Sequence, residues 1–180
     1  MPRIYLSPST KDFNRFITGN TEEYYMNLIA DAMIPYLKAI GIDFSRNNPG
    51  DSLTRVISQS NAGYYDLHLA LYSNSSPENL AGVLQGPDIY HLATSEKGRR
   101  SAEIIAANIR EIYPDPGLVQ VIPTMTMNEL RRTKAPAVLV EVAYHDNYTD
   151  AVWIRDNIDS IGRNLAMAAA EYLDLPFANP

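Results

Sequence analysis

Glu141 is the residue least in keeping with its neighbours. It lies in Ala137-Val138-Leu139-Val140-Glu141-Val142, an apolar run of the kind that forms a central buried strand. Burying a carboxylate is costly unless it is paired, hydrogen-bonded or held in its protonated form. A carboxyl shifted in this way at a cleft makes a good general base for activating water. The ordinary alternative is a strand-end glutamate paired with an arginine such as Arg131, and the residues alone weigh the two evenly. Glu23 is a second candidate, at the start of a helical stretch where it could face a site. Yet Asn20-Thr21-Glu22-Glu23 also reads as a capping box, with Asn20 as cap and Glu23 as its return partner. Acidic residues are favoured there by the helix dipole as well, so capping is the stronger reading of these four residues by themselves.

The other chemistry-bearing residues are His68, His91 and His145. None forms an H-x-x-x-H or H-E-x-x-H pair, and a lone histidine on a half-buried strand is more often a hydrogen-bonded core residue than a ligand. No spacing argues for a Ser/His/Asp set, a glycine-rich phosphate loop or a G-x-S-x-G elbow. There is no cysteine, which excludes disulfides, thiolate catalysis and cysteine-bound zinc.

The elements that must position these residues follow from periodicity. Arg3 to Leu6 reads as a first strand, stopped by Ser7-Pro8-Ser9. A helix is expected from Asn20 or Thr21 to about Ile40, with Tyr25, Leu28, Ile29, Ala32, Met33, Tyr36 and Leu37 on one stripe. Gly41 is its natural stop and Pro35 should kink it. Further strands are expected at Asp43 to Arg46, Asp66 to Ser73, Asp88 to Leu92, Val119 to Ile122 and Ala137 to Val142. Alternation on the third strand puts Leu67, Leu69 and Leu71 on one face and His68, Ala70 and Tyr72 on the other. Helices are expected at Asp51 to Ser60, at Ser95 to Tyr113, and as one long last helix capped by Thr149. Strands alternating with helices predict an α/β fold, a mostly parallel sheet with helices on both faces and a site at the carboxyl ends of its strands.

The chain has 180 residues, 46% hydrophobic and 20% charged, which suits one globular domain spanning 1–180. Its net charge of -6, without a Lys/Arg block, argues against nucleic acid and anionic membrane surfaces as partners. No signal-peptide h-region or bilayer-length apolar run is present, so no membrane insertion and a cytoplasmic location are expected, with release to a cell wall needing lysis or a partner.

Read in order, these segments resemble the zinc-dependent N-acetylmuramoyl-L-alanine amidases, which cut peptidoglycan between glycan and stem peptide. The most specific match is Leu130-Arg131-Arg132-Thr133-Lys134-Ala135-Pro136-Ala137-Val138-Leu139-Val140-Glu141-Val142-Ala143-Tyr144-His145-Asp146-Asn147. Weaker matches are Ser7-Pro8-Ser9-Thr10, Thr21-Glu22-Glu23 with Asn27, Asp66 to Asn74, and Gly86-Pro87-Asp88-Ile89-Tyr90. The resemblance implies a twisted six-stranded sheet, peptidoglycan or muropeptide fragments as ligands, and a zinc held by two histidines and a glutamate, with a second glutamate as base. Carried over, the base is Glu141 and the metal-binding glutamate is Glu23, favoured over Glu22 by its spacing to Asn27. Asn74 is carried over as a substrate-binding residue. Both histidines fail to carry over. Tyr72 stands at one position and Thr10 or Phe13 at the other. His68 shares a face with Tyr72 but lies four residues, about 13 Å, back along the strand, too far to replace it.

Imidazole supplies much of zinc's ligation, so a glutamate with no histidine holds the ion weakly or not at all. Three readings follow: a family member with a degraded zinc site and retained cell-wall fragment binding; an active hydrolase rearranged around Glu23, Glu141 and Tyr72 or His145; or a non-catalytic regulatory partner.

Overall fold

The computed structural model describes residues 1–180. Six strands form one sheet: β1 (Arg3–Pro8), β2 (Asp43–Arg46), β3 (Leu67–Asn74), β4 (Asp88–Leu92), β5 (Gln120–Thr124) and β6 (Ala137–Tyr144). Their order is β2-β1-β3-β6-β4-β5, and every pairing is parallel except β4 with β6. Six helices cover it: α1 (Glu22–Ile40), α2 (Leu53–Ala62), α3 (Glu96–Arg110), α4 (Asn128–Arg132), α5 (Tyr148–Asp156) and α6 (Ile158–Tyr172). This is the α/β architecture that strand–helix alternation and the resemblance both imply. No helix is long and apolar enough to cross a membrane.

The two faces of the sheet are covered unequally. Leu67, Leu69 and Leu71 of β3 and Val138, Val140 and Val142 of β6 belong to a cluster of 33 buried residues under α1, α3 and α6. Burying each such side chain contributes roughly 1.5–3 kcal/mol, so this face holds the fold together. The opposite face carries an apolar cluster of only 4 buried residues, Ala70, Leu130, Ala137 and Leu139, beneath the short α4. Alternation sends Tyr5, Ser7, His68, Tyr72 and Glu141 to this thinly covered face. It is therefore where polar side chains can be placed without breaking the main core.

Several local expectations are corrected. The cap of α1 is Thr21, whose hydroxyl accepts from Tyr24 N; Asn20 lies outside at φ 63°, so the capping box is not formed. The helix runs through Pro35 without ending there, and Gly41 closes it in the left-handed conformation at φ 84°. Proline removes one main-chain donor, and the buried Met33 and Leu37 on either side keep the segment packed. The long last helix is two. Asn147, not Thr149, caps α5, and Asn157 breaks the chain before α6. The helix α4, absent from the periodicity reading, spans five residues and is too short to show a pattern.

Candidate functional site

The carboxyl ends of β1, β3 and β6 and the first turn of α1 meet on the thinly covered side. Of the two adjacent glutamates, the fold turns Glu22 inward. It is fully buried, with Oε1 accepting from Ser73 N at 3.1 Å and Oε2 from Asn14 Nδ2 at 2.6 Å. Glu23, favoured by spacing, is half-buried and contributes main-chain bonds only: its N donates to Lys11 O and its O accepts from Asn27 Nδ2. The frame is set by Thr21 as cap, which makes Glu22 the first helical residue and aims it back at the end of β3. Sequence spacing could not fix that rotation, because the cap was misplaced by one residue.

Tyr72 is the register partner of Glu141 across β3 and β6. Its hydroxyl donates to Glu129 Oε2 at 2.6 Å. The other oxygen of Glu129 receives Ser7 Oγ at 2.5 Å and His68 Nε2 at 2.8 Å. His68 Nδ1 lies 2.9 Å from Ser60 Oγ, and the ring stacks on Tyr5. One carboxylate on α4 thus joins β1, β3 and, through His68, α2. Burial by itself would push the Glu129 carboxyl up, but the bonds and charge of His68, with the hydroxyls of Ser7 and Tyr72, hold it below the usual range. For the Tyr72 phenol, burial first and the Glu129 charge second push ionisation well above the ordinary tyrosine range. Glu129 is the residue that sequence reading missed. The available signal was His68, a histidine on a buried strand that had to find a partner.

Glu141 has no arginine. Arg131 is exposed, and Glu141 Oε2 is buried with no hydrogen-bond partner. Burial, then the charges of Asp88 and Glu22, raise its carboxyl to about 8, with Lys11 pulling the other way. Asp88 is its direct cross-strand neighbour on the antiparallel β4. Burial raises Asp88 too, opposed by hydrogen bonds from Asn74 and Tyr144. Asn74 sits at the bulged end of β3, donating to Asp88 Oδ2 at 3.2 Å while its own Oδ1 accepts from Ser75 N. It orients the acidic wall of the cleft.

The remaining candidates divide. His145 Nδ1 contacts Ser73 Oγ at 2.9 Å, and burial lowers its affinity for a proton. His91 bonds the Leu92 carbonyl and is not gathered with the carboxylates. Phe13 is 74% exposed and points to solvent, whereas Thr10 is half-buried in the loop that follows β1. A surface hollow of about 660 Å³ lies elsewhere, at the amino ends of β3 and β6 between Tyr64, Lys97 and Lys134. The cluster of buried, shifted carboxyls is the better guide to chemistry, because desolvated acids acting on one another are groups whose protonation a fold tunes.

Zinc, which the resemblance implies, is tested by the donors present. No group of three or more His, Cys, Asp or Glu side chains is placed to hold a metal ion. The phenol at position 72 is committed to Glu129, and each oxygen of the inward glutamate Glu22 already accepts from a neutral donor. These residues do not fit a zinc centre, which takes three protein ligands in its catalytic form.

Comparison with known proteins agrees with the architecture. Among solved structures, the N-acetylmuramoyl-L-alanine amidase AmiC2 of Nostoc punctiforme matches with a TM-score of 0.82 at 15% identity, over 96% of this chain and 97% of that one. The catalytic domain of CwlV, an N-acetylmuramoyl-L-alanine amidase from Bacillus (Paenibacillus) polymyxa var. colistinus, matches at 0.81 and 18% identity, over 98% and 100%. Ami1 of Mycobacterium smegmatis, an N-acetylmuramyl-L-alanine amidase, matches at 0.81 and 12% identity, over 96% and 97%. At these identities the likeness is one of fold. No curated protein sequence matches the chain. The family model for N-acetylmuramoyl-L-alanine amidase matches residues 9–171, from the loop after β1 to the last turn of α6. With the six-stranded sheet, that match settles the family: the chain belongs to the N-acetylmuramoyl-L-alanine amidases.

Proposed function

We propose that this chain binds the muramoyl–peptide amide of peptidoglycan fragments but has lost the zinc that would cleave it, so that hydrolysis is weak or absent. The observation that carries the reading is the bond from Tyr72 to Glu129, which ties up the position where the resemblance implies a histidine ligand. Glu22, Glu141 and Asp88 remain, but they supply hard oxygen donors, which zinc favours less, and the imidazole near Glu22, that of His145, has its Nδ1 on Ser73 Oγ. Without a metal, nothing in the cleft lowers the pKa of an attacking water.

Binding is supported by the chemistry of Glu141. With its carboxyl raised to about 8, it carries a proton at neutral pH. A protonated carboxyl can both donate and accept, so Glu141 offers one hydrogen bond to either end of a secondary amide, whose C=O and N–H point in opposite directions. The unpartnered Oε2 is the atom that such a ligand would satisfy.

Metal analysis after zinc loading and dialysis tests the reading, together with calorimetric titration of an intact muropeptide and mass spectrometry of the products. Substoichiometric zinc, measurable binding and no amide cleavage are expected. Stoichiometric tight zinc with amide cleavage overturns it.

The raised Glu141 also favours one second reading, a metal-independent hydrolase with Glu141 as base. That reading requires a measurable rate that rises as Glu141 ionises toward pH 8 and is abolished in Glu141→Gln. If the wild-type chain releases no product across that range, it fails.

A further inference from the structure

Lys11 is the one cation whose charge acts on Glu141, among the charges of Asp88 and Glu22. It lies in the loop following β1, directly after Thr10, and its Nζ sits over the ring of Tyr72, 5.0 Å from the centroid. It is thus beside both positions that lack a histidine. The backbone holds it there: Lys11 N donates to Ser9 Oγ at 3.2 Å, and Lys11 O accepts from Glu23 N at 3.3 Å. Its ammonium forms no ion pair, although the charge of Lys11 acts on the Glu141 carboxyl. A half-buried ammonium over an aromatic face keeps part of its attraction through the ring and leaves its N–H groups for a partner.

We propose that Lys11 is the specificity-determining cation of this cleft, donating to the acyl oxygen of a bound neutral amide and so taking over the charge role that a metal would fill. The ligand class follows from the surrounding charges. Glu22 and Asp88 stand close enough to act on Glu141, so a free carboxylate entering the cleft meets like charges. A cationic group is drawn to Glu22 and Asp88 but is repelled at the one place where it must meet the ammonium of Lys11. An uncharged acyl oxygen satisfies Lys11 and leaves Glu141 Oε2 within the same cleft for the amide N–H. The proposal rests on the amide-binding reading given above and adds that intact amide is preferred over the carboxylate released by its hydrolysis.

The test is titration of the full chain with an intact N-acetylmuramoyl-L-alanine muropeptide and, separately, with N-acetylmuramic acid. Lys11→Met keeps the apolar stem over Tyr72 and removes the charge; Lys11→Gln does the same with a shorter polar end. Both are expected to weaken binding of the intact amide about tenfold, the size of one lost charged hydrogen bond, with thermal midpoints unchanged. Lys11→Arg is expected to restore most of the affinity. Wild-type affinity in both neutral variants overturns the role of Lys11 and leaves the amide-binding reading standing. Tighter binding of N-acetylmuramic acid than of the amide overturns the ligand class. If the wild-type chain binds neither compound, the amide-binding reading and this proposal fall together.

Discussion

The hydroxyl of Tyr72 donates to Glu129 at 2.6 Å, and the same carboxylate takes the ring of His68 at 2.8 Å. Two residues on one face of β3, four apart, are thereby bridged by a single side chain from α4. The face that carries this bridge has little apolar cover, so its order depends on hydrogen bonds more than on packing. Buried polar groups satisfied in this way specify one arrangement, and removing a member leaves the others unpaired.

Removal of the bridge should therefore cost more than removal of one contact. Glu129→Ala strands Ser7, His68 and Tyr72, and a loss of about 3–5 kcal/mol is expected. Tyr72→Phe removes one of three donors to a carboxylate that keeps the other two, and about 1–3 kcal/mol is expected. Denaturant unfolding of the two variants checks the ranking. Equal losses would mean that the carboxylate does not act as the hub.

The raised carboxyl of Glu141 makes stability depend on pH. Its folded value is about 8 against an unfolded value near 4.5. The folded chain therefore binds this proton more tightly than the unfolded one. The contribution is fully present below about pH 4.5, is lost as pH rises towards 8, and is constant above that. Glu141→Gln mimics the protonated form at every pH. It should melt higher than wild type at pH 8–9, by a few kcal/mol at most, with the difference vanishing near pH 4. Parallel melting curves across this range would remove the shift.

Restoring imidazole should restore metal binding only where the fold turns it inward. Thr10→His with Tyr72→His is expected to raise zinc affinity, since residue 72 faces Glu129, a carboxylate able to orient a ligating ring. Phe13→His with Tyr72→His should not, because Phe13 is 74% exposed. Zinc titration with a competing chelator separates them. A double variant at 10 and 72 that binds no more zinc than wild type would show that the alignment of these positions is wrong.

The main core has its own sensitive point. A Cβ on Gly162 of α6 would lie 2.5 Å from Ala32 Cβ on α1. Gly162→Val should cost roughly 1–3 kcal/mol or more through overpacking of the two helices, without changing ligand affinity. Thermal melting and titration together check both halves of that statement.

The amino-acid sequence by itself determined the sheet's strands, the helix over Glu22–Ile40 with its Gly41 stop, and the two faces of β3, because periodicity and turn chemistry are local properties. It also singled out Glu141, since a carboxylate inside an apolar run is anomalous wherever the strand lies. It could not choose between Glu22 and Glu23, as a shift of one residue in the cap rotates a helix by about 100°, and only packing against Ser73 and Asn14 selects the rotation. It could not find Glu129, which sits 57 residues from Tyr72 and 122 from Ser7 in the chain. Nor could it assign Lys11, whose neighbour is an aromatic ring brought over from another strand. Contacts between distant segments are products of the tertiary fold, and here they decided which carboxylates face the cleft, what holds Tyr72, and where the ammonium of Lys11 stands.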